Sequence, residues 1–362
     1  MKPLKLLALV ILVGLIGGTI VFYQNQSAIS SINVAPPAVL PSSTTMPVDQ
    51  TEIQTESTGL TVEPLPETPA SSSTHPESGL FLKVLKDVGE PDLEHFGLSE
   101  ADFSQLRDAD VNLIEGNFDI CADHDDVQFF LDSSQQFNLQ VVLPAGAGEA
   151  EWGYACNGSG YNQTPVWQKE QVQAWVRRWL DHPAVFGWDT SNEAGGNFPH
   201  DESLEYFISL EQLQQVYRDI KEIDPERPIL IRMNGWYFYD NDSDFLRTGN
   251  PFGPGVADIV MVNAYSNVDE YFDDFVHVVL QRSYQSIKRQ APEAAIIAAI
   301  GVWSEPPLWQ QPSIAQLQND LSATNNIYDL IGVAFFKYGA VTSTWYLPDD
   351  APELWEEIKK PL

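Results

Sequence analysis

Near the middle of the chain the sequence reads Val185-Phe186-Gly187-Trp188-Asp189-Thr190-Ser191-Asn192-Glu193-Ala194-Gly195-Gly196. The short apolar run after Pro183 is typical of a buried strand, and it ends in an Asn-Glu pair that leads into a Gly-rich loop. A carboxylate directly after a parallel strand is well placed for chemistry. If this interpretation is right, the rest of the chain supplies seven further strands, seven further helices and a second carboxylate.

Apolar strand-like runs alternate with helix-like segments on both sides of this stretch. Besides the quoted stretch, strand-like runs occupy about 80–85, 111–116, 139–144, 229–233, 259–263, a run that begins at Ala295, and 331–336. A clear helix-like segment follows all but the fifth strand. This alternation over roughly 280 residues predicts an α/β fold of the (β/α)8 TIM-barrel type.

The alternative architecture is a doubly wound open sheet. It would carry a Gly-rich phosphate-binding loop after strand one, where this chain reads Lys86-Asp87-Val88-Gly89-Glu90-Pro91. That segment lacks the required glycines, so the barrel is favoured.

Local signals place several helices and loops. Ser99 with Asp102 three residues later, and Ser313 with Gln316, are capping signals for two helices. After strand three the composition predicts a long Gly-rich loop that carries Trp152.

The chain divides into three predicted regions. Residues 1–23 contain an apolar run at 6–23 after two lysines, which is typical of a signal peptide or a single-span membrane anchor. Residues 24–78 are rich in Ser, Thr and Pro and predict a disordered linker. Residues 79–362 form the predicted catalytic domain. We therefore expect a monomer that is extracellular or at the cell surface, either anchored through its N-terminus or secreted.

Composition restricts the partners. The 362 residues carry a formal charge of −32, from 51 acidic against 19 basic residues, which opposes binding of nucleic acid or of an anionic membrane surface. The same charge disfavours a strongly acidic polysaccharide as substrate. Ten Trp and thirteen Tyr suit sugar stacking, although core packing would use many of the same side chains.

Two cysteines, Cys121 and Cys156, fall in loops after successive predicted strands. In an exported domain they could form a disulfide bond. Two unpaired thiols are the alternative, because sequence does not supply the required geometry.

The carboxyl ends of barrel strands are where reactive groups are expected. In this chain those ends carry carboxylates, amides and aromatic rings, and they lack a cluster of His or Cys. We therefore expect neither a thiol nucleophile nor a metal site, and no cofactor. The residues at these ends are Glu115, Asn117, Asp119, Asn192, Glu193, Asn234, Trp236, Asn263, Tyr265, Trp303, Glu305, Lys337, Tyr338 and Trp345.

Carboxylates among amides and aromatic rings are suited to cleavage of a glycosidic bond. One carboxylic acid protonates the leaving oxygen, and in a retaining mechanism a second carboxylate about 5–5.5 Å away attacks the anomeric carbon. Glu193 is the predicted acid/base, and the amide of Asn192 would bind the neighbouring sugar hydroxyl.

The run Trp188-Asp189-Thr190-Ser191-Asn192-Glu193, within this eightfold pattern, resembles the clan of retaining (β/α)8 glycoside hydrolases that includes cellulases, β-mannanases and β-galactosidases. The resemblance implies that Glu193 after Asn192 is the acid/base and that Glu305, after strand seven, is the nucleophile. It also implies that Tyr265, after strand six, contacts the nucleophile.

The second carboxylate has more than one candidate. The apolar run before Glu305 is long and continues into Pro306-Pro307, so Glu305 is either the nucleophile or a loop residue, with Glu115 and Glu149 as the alternatives.

The predicted function is an exported glycoside hydrolase that cleaves a neutral, β-linked glycan with retention. The alternative is a carbohydrate-binding or scaffold protein on the same barrel that lacks one catalytic carboxylate. The predicted substrate-binding residues are Asn192, Tyr265, Asn263, Trp236, Trp303, Trp345, Lys337 and Asn117.

Overall fold

The computed structural model describes residues 81–91, 93–147, 153–156, 161–164, 167–192, 209–235, 252–268, 274–327, 329–341 and 343–362. Of residues 146–147, 153–156, 161–164 and 191–192 it describes the backbone alone. All of these residues belong to the second of the two units into which the chain divides, Ala70–Leu362. The predicted anchor at 1–23 and linker at 24–78 lie outside the described residues. Within these ranges, no helix is long and apolar enough to cross a bilayer.

Eight parallel strands close into a barrel, which confirms the predicted architecture. Around the barrel the strand order is β1-β10-β9-β8-β7-β6-β3-β2, and β4 pairs with β5 in a separate antiparallel hairpin. The strands are β1 Leu82–Val88, β2 Leu113–Gly116, β3 Gln140–Ala147, β4 Gly153–Cys156, β5 Tyr161–Thr164, β6 Val185–Asn192, β7 Ile229–Asn234, β8 Ile259–Asn263, β9 Ala295–Gly301 and β10 Leu330–Phe336.

Helices connect the barrel strands, as a parallel sheet requires. Between β7 and β8, residues 236–251 lie outside the described part of the chain. The helices are α1 Glu100–Asp108, α2 His124–Gln136, α3 Lys169–Trp179, α4 Leu210–Lys221, α5 Phe275–Gln290, α6 Ile314–Asn325, α7 Leu347–Asp350 and α8 Pro352–Ile358, with a 3-10 turn at Glu94–Gly97 before α1.

The capping signals act as predicted. Ser99 and Asp102 form a reciprocal capping box at the start of α1. At α6 the Ser313 hydroxyl accepts a hydrogen bond from the Gln316 backbone N–H at 3.1 Å. These side chains satisfy backbone donors that have no partner within the first helical turn.

One prediction is wrong. The segment after β3 was expected to be a long loop, and it contains the β4–β5 hairpin, in which Gly153 pairs with Thr164 and Cys156 with Tyr161. The strands of the hairpin have four residues each, too few for an alternating pattern to stand out against the glycines around them.

The strand registers bring the carboxyl ends to one rim of the barrel. Asn192 of β6 lies beside Arg232 of β7, and Asn234 of β7 beside Asn263 of β8. On the other side of the barrel Phe336 of β10 lies beside Gly301 of β9. The backbone positions at this rim are therefore neighbours although they come from distant parts of the sequence.

Candidate active site

Four barrel strands each carry a buried or nearly buried charged side chain close to their carboxyl ends. These residues are Lys86 of β1, Glu115 of β2, Asp189 of β6 and Arg232 of β7. Lys86, Glu115 and Asp189 are at most 4% exposed, and the side chain of Arg232 is 17% exposed. Charged groups are found at such depth when they are paired.

Arg232 bridges two carboxylates. Its two terminal nitrogens lie 2.7 Å from Glu115 Oε1 and 2.7 Å from Asp189 Oδ2. Although burial opposes the charge, Asp189 and Glu115 hold the pKa of Arg232 above its ordinary value. The guanidinium therefore stays protonated and fixes β2, β6 and β7 relative to one another.

Glu115 has a strongly shifted acidity. Burial raises the pKa of its carboxyl from 4.5 to about 7, and the nearby charges of Arg232 and Lys86 oppose this shift. A carboxyl with a pKa near neutrality can hold or release a proton under physiological conditions, a property common at catalytic sites.

Inside the barrel, Lys86 of β1 holds residues at the carboxyl end of β8. Its ammonium donates to Asn263 Oδ1 at 2.9 Å and to the Tyr265 hydroxyl at 2.8 Å. The same nitrogen lies 5.5 Å from the centre of the Tyr265 ring and 5.1 Å from that of Phe336, within cation–π range. Both sequence-predicted residues after β8 are thus held by one buried cation.

Aromatic rings pack beside Lys86 and, together with Asn263, form one wall of the site. Tyr265 packs edge-on against Trp303 at a centroid distance of 5.0 Å and stacks on Phe336 at 5.2 Å. Trp303 also contacts Trp309 at 4.7 Å. Trp303 is buried and Trp309 half-buried, so this group is chiefly a packed support for the polar residues.

A cavity of about 60 Å³ lies at the carboxyl ends of β1, β2, β3, β6 and β7. Acidic side chains and one guanidinium dominate its lining. The lining residues are Asp87, Glu115, Gly116, Asn117, Phe118, Pro144, Asp189 and Arg232.

The loops after β8 and β9 are fastened to each other. The Asn267 amide donates to the Trp303 carbonyl at 2.9 Å and to the Gln310 carbonyl at 3.2 Å. Gly301 permits this approach, because a Cβ at that position would lie 2.3 Å from Asn267 Oδ1. The rim next to Tyr265 is therefore rigidly defined.

Helix α6 secures the β8 loop through a buried acid. Ser266 donates to Asp320 Oδ2 at 2.5 Å, and Gln316 donates to the Ser266 carbonyl at 2.8 Å. Burial raises the pKa of Asp320 to about 7, and the Ser266 hydrogen bond opposes the shift.

Asp320→Asn should flatten the pH dependence of stability. Between about pH 4 and pH 7 the folded protein keeps a proton on Asp320 that the unfolded chain releases, so the free energy of unfolding falls as pH rises. The loss amounts to about 2–4 kcal/mol by pH 8. Urea titrations from pH 4 to pH 8 should show the variant losing less stability than the parent.

Glu115 titrates in the same window in parent and variant, so its contribution cancels in the difference. The matched control is Asp108→Asn, since the Asp108 side chain is 62% exposed. An Asp320→Asn curve parallel to that of the parent would contradict the buried-acid assignment.

The structure brings together several predicted site residues. Asn263, Tyr265 and Trp303 form the wall around Lys86, and Asn117 lines the cavity while its side-chain amide donates to the Gly89 carbonyl at 3.4 Å. These residues come from strands β2, β8 and β9, as the barrel pattern required.

Two other predicted residues have a different setting. The Trp345 indole is buried and donates to the Lys337 carbonyl at 3.2 Å, so it closes the turn after β10. Lys337 is half-buried. Among the contacts of the described residues, none joins Trp345 to the cavity lining.

Glu305 is exposed and lies four residues beyond the last residue of β9. Its backbone pairs with that of Trp309 in both directions, at 2.9 and 3.1 Å, which closes the turn through Pro306 and Pro307. Its role as nucleophile stays a prediction.

The central motif is described in part. Asn192 ends β6 with its backbone beside Arg232, and its side chain lies outside the described residues. Glu193, Trp236, Glu149 and Trp152 also lie outside them, so the predictions for these residues are untested.

Cys121 is disulfide-bonded. The sequence has one other cysteine, Cys156, which ends β4 and whose side chain lies outside the described residues. Within the described ranges, no three or more His, Cys, Asp or Glu side chains are grouped so that they could hold a metal ion.

Sequence analysis missed Lys86, Asp189 and Arg232 as site residues. The signal was clearest at Arg232, which lies in the otherwise apolar run 229–233, whereas β1 also carries Lys83 and Asp87 and β6 ends in polar residues. A charge in a strand that is buried on both faces must meet an opposite charge or a dense set of hydrogen bonds.

Comparison of the fold finds similar barrels among solved structures. One is Bacteroides uniformis β-glucuronidase 2 covalently bound to cyclophellitol-6-carboxylate aziridine, with a TM-score of 0.51, 16% identity and coverage of 72% of this chain and 31% of that chain. Another is Bacteroides uniformis β-glucuronidase, with a TM-score of 0.50, 16% identity and coverage of 72% and 30%.

These similarities show the fold, an α/β barrel like that of the two β-glucuronidases. The matched region spans about a third of the length of those two chains. No protein-family model matches the sequence, and no curated protein matches it significantly.

Proposed function

We propose that the protein is a glycoside hydrolase that cleaves a neutral, β-linked glycan with retention of configuration. The observation that carries the proposal is the position of Asn192. It ends β6 at the carboxyl rim of a closed parallel barrel, beside Arg232, and Glu193 follows it directly. This rim is where barrel enzymes hold their reactive groups.

In this proposal Glu193 protonates the leaving oxygen and later activates water, and Glu305 is the nucleophile. Asn263 and Tyr265, both held by Lys86, bind the sugar together with Asn192 and Asn117. Glu115 is the alternative second carboxylate.

The proposal of a neutral glycan rests on charge. The chain carries a formal charge of −32, and three carboxylates face one guanidinium in the cavity at the rim. An acidic polymer would be repelled both at long range and at the site. The fold neighbours are named β-glucuronidases, which supports the glycosidase class, while the charge argues for an uncharged sugar in this protein.

We propose that the protein acts outside the cytoplasm as a monomer, secreted or anchored through residues 6–23. The apolar run at 6–23 and the disulfide bond of Cys121 support this location.

A second candidate function is carbohydrate binding without hydrolysis. The exposure of Glu305 favours it, because a nucleophile is held at the site and Glu305 lies in an exposed turn. In that case the barrel would keep its sugar-binding wall and lack the second carboxylate.

A panel of soluble polysaccharides tests the two functions. The purified protein should release reducing ends from at least one neutral β-linked polymer. It should not release them from an α-linked glucan or from a polyuronate. Proton NMR during the first turnovers should show the β-anomer of the new reducing end. Initial formation of the α-anomer would contradict retention, and binding without cleavage would establish the second candidate.

A further inference from the structure

The acidic cavity at the barrel rim has features of a built binding site. It joins the ends of β1, β2, β6 and β7 through Asp87, Glu115, Asp189 and Arg232. Its volume of about 60 Å³ accommodates several water-sized groups, and therefore a hydroxymethyl group or two hydroxyls of a sugar ring.

Among the buried polar atoms of the lining residues are an acceptor and a donor that have no hydrogen-bond partner among the described residues. They are Oε2 of Glu115, whose side chain is 5% exposed, and Nε of Arg232. Buried polar atoms of native proteins nearly always have a partner, from the protein, from water or from a ligand. The lining residues thus carry an unused acceptor and an unused donor.

This combination defines the chemistry of the ligand. Glu115 Oε2 requires a donor when it is ionised, and Arg232 Nε requires an acceptor. A hydroxyl group both donates and accepts, whereas a carboxylate accepts alone and an ammonium donates alone. Hydroxyl groups of a neutral sugar therefore match both atoms.

The cavity is electrostatically unfavourable for a carboxylate. The two terminal nitrogens of Arg232 are already engaged, one by Glu115 and one by Asp189, so a carboxylate cannot form an end-on bidentate pair with both of them. An entering anion would also face three carboxylates and one lining cation. When Glu115 is ionised, Lys86 does not change the sign of the local charge, because two cations still oppose three anions.

We propose that this cavity is a selectivity subsite, which binds hydroxyl groups of a neutral sugar through Glu115 and Arg232 and excludes a uronic acid. This inference rests on the proposed function, since it assigns the sugar class accepted by the same rim. It also makes Glu115 a substrate-binding residue.

Binding of paired monosaccharides tests the selectivity. The probes are the methyl β-glycosides of glucose, galactose and mannose and the three corresponding uronides, titrated into the full chain by NMR. At least one neutral sugar should bind, and its uronide should bind at least about tenfold more weakly, the effect of a like-charge contact at a binding site.

Two variants test the residues. Glu115→Gln should weaken binding of the neutral sugar about tenfold, because it removes a charged hydrogen-bond acceptor. Asp87→Asn should reduce the difference in affinity between a neutral sugar and its uronide, since it removes one of the charges that repel the uronide. Asp87 has a left-handed backbone with φ 48°, a conformation that Asn tolerates, so this variant keeps the fold if Glu115→Gln does not.

Asp110→Asn is the matched control. Asp110 also has a left-handed backbone, with φ 56°, and it is exposed before the amino end of β2, away from the rim. The same loss of charge at this position should leave both affinities unchanged.

The outcomes separate the two proposals. Equal binding of a uronide and its neutral counterpart, no binding of any neutral sugar, or an unchanged affinity in folded Glu115→Gln would overturn the subsite. Selective binding without hydrolysis of any glycan would support the subsite and refute the hydrolase. Hydrolysis of uronides would overturn the subsite and the neutral-sugar part of the proposed function, and would still support glycoside hydrolysis itself.

Discussion

Replacing Glu193 with Gln should lower kcat/KM on a glycan about a thousandfold, within the 10²–10⁴ range that general acid–base catalysis contributes. The amide keeps the shape of the side chain and cannot protonate the departing oxygen. Steady-state kinetics on the polymer that the parent cleaves best would measure the loss. A change in thermal stability should be absent, because the substitution is close to isosteric.

The leaving group distinguishes an acid from a residue that only binds. The leaving group of a 2,4-dinitrophenyl glycoside is a phenolate that departs without protonation. With this substrate, formation of the glycosyl-enzyme should therefore be far less impaired in Glu193→Gln. An equal loss with both kinds of substrate would contradict the role of Glu193 as general acid.

The same pair of substrates identifies the second carboxylate. If Glu305 is the nucleophile, Glu305→Gln abolishes hydrolysis of both substrates, because no leaving group replaces the attacking carboxylate. Glu356→Gln is the matched control, since Glu356 is an exposed glutamate on α8. Glu115 would be the nucleophile if Glu305→Gln kept full activity and Glu115→Gln bound sugar without hydrolysing it.

The barrel could be predicted because its signals are local. Strands buried on both faces read as short continuous apolar runs, so Ile259–Asn263 matches its predicted bounds and the other strands begin within about two residues of theirs. The caps at Ser99 and Ser313 involve residues three apart, which a sequence displays directly.

The charged cluster could not be predicted because its pairings depend on register. Glu115, Asp189 and Arg232 belong to strands that are distant in sequence, and a shift of one residue would turn any of these side chains to the other face of its strand. Likewise the exposure of Glu305 depends on backbone hydrogen bonds to Trp309, which no residue pattern announces. Charges within apolar runs predict that partners exist, and packing decides which partners meet.

Arg232→Met should lower the free energy of unfolding by about 3–5 kcal/mol, the usual effect of removing one partner of a buried ion pair. Glu115 and Asp189, both at most 5% exposed, would then lie close together in the barrel without the guanidinium that joins them. Urea denaturation at pH 7.5 would measure the loss. The control is Arg107→Met, because Arg107 is about half exposed and pairs with an exposed Asp108, so its loss should stay within about 0.5 kcal/mol.

A triple variant separates charge from packing as the cause. Adding Glu115→Gln and Asp189→Asn to Arg232→Met removes every charge of the bridge, and part of the lost stability should return, since no unpaired buried carboxylate is left behind. The Arg232→Met loss should also be smaller at pH 5, because the Glu115 carboxyl, whose pKa is already raised to about 7 by burial, takes up a proton. A triple variant as unstable as Arg232→Met alone, with no change between pH 5 and pH 7.5, would show that Arg232 acts through packing. The ion pairs of the bridge would then contribute little to the stability of the barrel.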